Sequence, residues 1–176
     1  MKASKKVLFL SCIIVPLTCG LQVHGQTNAA AAGPVVDRNE PRCMHVGDDN
    51  KEMAEAVQKA HKTLKKFIDA LQSPKSNQSR FAIKKPFIEG DKVEHMWIND
   101  VTFDGNVFRG KVDNEPADLK RVHLGDPVTV KPQEISDWMF VQNGRLVGGY
   151  TVRCTCHGMT TAERKQFEEE IGCRMD

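Results

Sequence analysis

The chain has 176 residues, 40% hydrophobic, 27% charged and only 6% aromatic, with 25 basic against 23 acidic side chains. Its N-terminal segment holds three of the lysines and no acid, so the rest of the chain carries 22 basic against 23 acidic residues, a net −1. Without a basic field to attract phosphate, nucleic-acid binding is not expected, and this length suits one domain with a modest core.

Residues 1–25 have the anatomy of a secretory signal peptide. Lys2, Lys5 and Lys6 form a basic start, residues 7–15 (VLFLSCIIV) are apolar, and Pro16 breaks any helix. Val23 and Gly25 suit the two small-residue positions ahead of a cleavage site. The apolar run is short for a bilayer anchor. Cleavage is therefore expected after Gly25, giving a periplasmic or secreted protein with Gln26 first and no stable membrane anchor. Residues 26–41 (QTNAAAAGPVVDRNEP) read as a disordered spacer, and residues 42–176 as a single α+β domain.

Residues 51–71 predict a helix. Met53, Val57, Ala60, Leu64, Phe67 and Leu71 recur at alternating spacings of four and three, one apolar stripe. Asp49 with Glu52 suggests a capping box, and Ser73-Pro74 ends the helix. Lys51, Glu55, Lys59, Lys62, Lys66 and Asp69 form the opposite, solvated face. Residues 74–79 are a linker whose Asn77-Gln78-Ser79 is a glycosylation sequon, meaningful only in a eukaryote.

The period then changes from helical to alternating. Phe81 and Ile83 alternate, Glu89-Gly90-Asp91 turns, and residues 93–101 read as a strand. Asp104-Gly105 signals a hairpin with 107–112 as its return. Residues 117–124 suggest a helical turn; 128–130 and 135–141 read as strands. Asn143-Gly144 is a second hairpin signal, pairing 138–142 with a strand over 145–156. Residues 160–171 predict a terminal helix with Thr160 and Glu163 as its capping box. Hairpin-linked strands pair antiparallel. The expected fold is α+β: a leading helix, an antiparallel sheet of about five or six strands that is strongly bent or partly barrel-like, and a closing helix, the helices covering the sheet.

Four cysteines follow the signal segment: Cys43, Cys154, Cys156 and Cys173. Export suggests one or two disulfides, and four thiols allow three full pairings. The preferred bridge joins Cys43 to Cys154 or Cys156. The run Cys154-Thr155-Cys156-His157, with Cys43, His45 and Cys173, offers soft ligands for zinc. Its two cysteines are one residue apart, however, closer than structural zinc pairs usually stand. On a strand Tyr150, Val152, Cys154 and Cys156 would share an apolar face, so core cysteines are favoured and no metal site is assigned.

His95 is the candidate general base, with Asp100, Asp113 or Asp137 to orient it. A nucleophile is missing: Ser136 lacks the flanking glycines of a nucleophile elbow. A polar sheet edge is the favoured reading of residues 94–116. Trp97 and Trp138 read as core residues with polar partners, the sharper alternative being a paired aromatic platform. Phosphate-loop, dinucleotide and zinc-protease signatures are absent, so no cofactor is implied. Gly148-Gly149 reads as a bulge or close backbone contact.

The runs Phe81-Ala82-Ile83-Lys84, Glu94-His95-Met96-Trp97, Phe108-Arg109-Gly110, Asn114-Glu115-Pro116, Gly125-Asp126-Pro127-Val128, Ile135-Ser136-Asp137-Trp138-Met139 and Gly148-Gly149-Tyr150-Thr151-Val152-Arg153 together resemble the YegJ-like family of bacterial proteins, a domain of unknown function. The resemblance covers residues 43–172, and the leading helix, with residues 53–57 and Phe67-Ile68, fits it. It implies a small bacterial domain and supplies no catalytic residues. Cys154 and Cys156 look like departures, where plain apolar residues are expected. The reading is an exported binding domain rather than an enzyme, with an unknown protein or small ligand as partner. Its candidate surface is Glu94, His95, Trp97, Asp113, Asn114, Asp137 and Trp138. The alternatives are a small hydrolase using His95, a carboxylate and water, or a toxin-neutralising, immunity-type protein.

Overall fold

The computed structural model describes residues 51–175. The signal segment, the spacer, Cys43 with its expected bridge, and the Asp49 half of the first capping box lie outside them.

Helix α1 (Lys51–Gln72) buries Ala56, Ala60, Leu64 and Phe67, four positions of one stripe at helical spacing. Six antiparallel strands follow: β1 (Gln78–Glu89), β2 (Lys92–Phe103), β3 (Phe108–Val112), β4 (Pro127–Val130), β5 (Asp137–Gln142) and β6 (Arg145–Gly148). Their spatial order is β4-β3-β2-β1-β5-β6, an open sheet and not a barrel. Helix α2 (Tyr150–Thr155) and helix α3 (Thr161–Ile171) close the chain.

The hairpins form where turn chemistry demands them. The Asp104 carboxylate accepts the backbone N–H groups of Asn106 and Val107, both at 2.9 Å. Asn143 and Gly144 both take positive φ, 52° and 73°, as a tight hairpin turn requires. Two irregularities bend the sheet: register shifts at Arg80 in β1 and Asp100 in β2, whose φ values are 54° and 50°, mark bulges.

Each sheet face carries its own core. On the first, α1 packs through Phe67 among Phe81, Phe108 and Trp138, with ring centroids 6.0, 6.1 and 5.6 Å away. Trp138 donates its indole N–H to the Ala60 carbonyl at 2.9 Å. On the second face Ala82, Trp97, Met139, Val141 and Leu146 pack with Cys156, Cys173 and Met175. Phe167 and Ile171 bring α3 onto that core. The Thr160–Glu163 capping box that starts α3 is formed.

Two expected elements are replaced. Residues 117–124 form no helical turn. Carboxylates from the neighbouring hairpin take their backbone N–H groups instead: Glu94 accepts from Ala117, Asp118 and Leu119, and Glu89 from Lys120 and Arg121. The strand expected over 145–156 stops at Gly148, and 150–155 are helical. Gly148 and Gly149 have φ of 76° and 61°, which turns the chain out of the sheet. A Cβ on Gly148 would stand 2.2 Å from the Trp138 carbonyl oxygen, so only glycine permits this close approach. Off the strand, Cys154 and Cys156 share no apolar sheet face. Cys154 is half-buried, whereas Cys156 is buried in the second core.

Candidate functional site

A cavity of about 240 Å³ lies between the second sheet face and α3. Trp97 on β2, Met139 and Val141 on β5 and Leu146 on β6 line it from the sheet. Val152, Phe167, Ile171 and Cys173 line it from the helices and the C-terminal segment. Arg80, Lys84, His95, Asn114 and Glu170 supply its polar groups.

Lys84 sits at the centre of this arrangement because of register. It faces Trp97 across β2 and Asp137 across β5, and cross-strand partners share a face. Its ammonium lies 5.4 Å from the Trp97 ring centroid, in cation–π range, and 3.5 Å from the Thr151 hydroxyl. Burial strips water from the ammonium and lowers its pKa, while the Asp137 charge pulls the other way.

Asp137 is fully buried and works on the backbone. Its Oδ1 accepts the Trp138 and Tyr150 N–H groups at 2.8 and 3.1 Å, and its Oδ2 accepts the Thr151 N–H and hydroxyl at 2.8 and 2.7 Å. These bonds hold the first turn of α2 against β5, satisfying donors that a helix start leaves orphaned. Burial raises the Asp137 pKa against their opposing effect.

Arg80 leaves its bulge to donate to the carbonyls of Ile171 and Gly172. A cation at these last carbonyls complements the helix dipole and fixes the end of α3 over the cavity. Burial pushes the Cys173 thiol up, with Arg80 opposing. Asn114 uses its Oδ1 to accept the Trp97 N–H at 2.9 Å, and Asn99 donates to Asp113.

The expected surface therefore divides. His95, Trp97 and Asn114 meet at the cavity; Glu94, Asp113, Asp137 and Trp138 do not line it. Residues 94–97 lie on the third strand of six, not an edge strand. Trp97 and Trp138 occupy opposite faces, so they form no joint platform. His95 Nδ1 stands 2.9 Å from the Ser136 hydroxyl, a spacing a serine nucleophile and its base would share. Ser136 is only 4% exposed and is not among the cavity-lining residues. The acids considered as partners for His95 have their own bonds: Asp137 to α2, Asp113 to Asn99, Asp100 to Lys111. Among the described residues no cluster of three His, Cys, Asp or Glu is placed to hold a metal. Among the described residues, Cys154 and Cys173 form no disulfide.

Sequence reasoning missed Lys84 and Arg80 as site residues. For Lys84 a signal existed: a tight turn at Gly90-Asp91 pairs Glu89 with Lys92 and, counting back, Lys84 with Trp97. Arg80 had none, because a bulge cannot be read from alternation.

A family model described as "Uncharacterized protein conserved in bacteria (DUF2314)" matches residues 50–175. The chain is similar to "Uncharacterized protein YegJ" of Escherichia coli (strain K12), 34% identical over 106 residues, which is 60% of this chain and 68% of that protein. It is also similar to the "Putative ankyrin repeat protein" of Neisseria meningitidis serogroup B, 42% identical over 94 residues, 51% of this chain and 37% of that protein. No solved structure matches it.

Proposed function

The chain belongs to the bacterial family DUF2314, and on that premise we propose that it is an exported, non-catalytic binding domain whose ligand site is the cavity under α3. The carrying observation is the cavity itself: preformed, largely apolar, walled by Trp97 and furnished with a few convergent polar groups, the usual anatomy of a small-ligand site. Ser136 is buried and does not line the cavity, which argues against the hydrolase alternative. A related segment sits within a longer protein named for ankyrin repeats; such repeats form binding surfaces, which suits a module that recognises rather than transforms. Export rests on the N-terminal segment alone, and the mature charge balance gives nucleic acid no attraction.

A size-matched set of small molecules, tested by thermal melting, checks the site. Binders raise the melting temperature of the native chain, since a ligand of the folded state alone stabilises it. They leave Val152→Phe, whose ring fills the cavity, unmoved. Equal stabilisation of both proteins, or no stabilisation by any compound, contradicts the proposal. Export is checked by N-terminal sequencing of the protein outside the cytoplasm: Gln26 first is expected, and an intact Met1 refutes cleavage.

A further inference from the structure

Accepting the cavity as a binding site, we infer that its ligand is a small apolar molecule bearing one negative charge, a medium-chain carboxylate in class, whose anionic end is received by Lys84.

Lys84 is an incompletely satisfied cation. An ammonium has three hydrogens to donate, yet the polar partner that Lys84 finds among the described residues is the Thr151 hydroxyl, at a long 3.5 Å. That hydroxyl already gives its own hydrogen to Asp137 at 2.7 Å. Asp137 in turn has both oxygens occupied, each by two donors, close to the capacity of a carboxylate. No carboxylate of the described residues stands within ion-pair distance of Lys84. A charge withdrawn from water without full pairing is costly, and a ligand anion would supply the missing acceptor. The depressed pKa of Lys84 reflects the same shortage of solvation.

The surroundings set the rest of the ligand. Arg80 adds a second positive charge, but its guanidinium is engaged by the end of α3. The one carboxylate lining the cavity, Glu170, is exposed on α3. The Trp97 ring beside the ammonium, with Met139, Val141 and Phe167, offers an apolar body its contact. The volume of about 240 Å³ equals the liquid share of about eight waters, matching a chain of roughly that many heavy atoms.

The test compares octanoate, 1-octanol and octylamine by titration calorimetry on the native chain, on Lys84→Met and on Lys84→Arg. Octanoate should bind the native chain about tenfold or more tighter than the other two, from the strength of a hydrogen bond to a charged group. Lys84→Met should remove that preference while leaving octanol binding within about twofold, and Lys84→Arg should retain it. Octanol binding as tightly as octanoate overturns the anion inference and leaves the cavity reading standing. A preference that survives in Lys84→Met overturns the role of Lys84. Binding of none of the three overturns the inference, while the site itself stands or falls with the wider compound set. Should Lys84→Met fail to fold, the comparison of the three probes on the native chain still decides.

Discussion

At Asp113 a carboxylate stands half-buried beside Asn99, and burial first, then repulsion from Asp100, raises its pKa to about 6 from an ordinary 3.8. The folded protein therefore holds this proton more tightly than the unfolded chain. Stability from this group is greatest below about pH 4, falls as pH rises towards 6, and is level above that. Asp113→Asn should remove the slope and stabilise the protein at pH 7 by about 1 kcal/mol, allowing for partial exposure to water. Urea midpoints at pH 4, 5 and 7 check this, and parallel profiles for the two proteins would refute it. Residues such as this show why the site was only partly legible. Residue type singles out Trp97, His95 and Asn114, and they do meet at the cavity. It singles out Glu94 and Asp137 equally, yet these clasp backbone N–H groups. What a carboxylate binds depends on which segment folds over it, and that is a tertiary fact.

At the scale of elements, the helices and hairpins followed from local chemistry: the α1 stripe, the Thr160–Glu163 box, and the Asp-Gly and Asn-Gly turns. Helix α2 did not, because its start is fixed by a residue thirteen positions upstream. Asp137 reaches Tyr150 and Thr151 from β5, and two positive-φ glycines carry the chain there. Asp137→Ala strands those donors in a buried place. It should destabilise the fold by about 2–4 kcal/mol, with faster amide exchange at Tyr150 and Thr151. A loss below about 0.5 kcal/mol, the range of an ordinary surface change, would show that α2 stands without it. The 117–124 loop illustrates the same dependence. Its N–H groups found acceptors on Glu94 and Glu89, so no helical turn was needed to satisfy them.

Across the whole molecule, antiparallel pairing and covering helices were readable, but not which face each strand residue buries. The reason is plain at β2, where Met96, Trp97 and Ile98 are consecutive and all buried, at 0%, 9% and 0% exposure. A strand covered on both sides loses its alternation. That double cover also creates the cavity, since α3 bridges the second face from its edge and Arg80 ties down its end. It gives the protein a built-in reporter as well. The chain has two tryptophans, with Trp97 at the cavity and Trp138 in the opposite core. The most direct measurement is an amide and indole NMR titration of the full chain with octanoate. The Trp97 indole signal should shift and saturate with the ligand while that of Trp138 stays in place. An unmoved Trp97, or equal shifts of both, would contradict a binding site under α3.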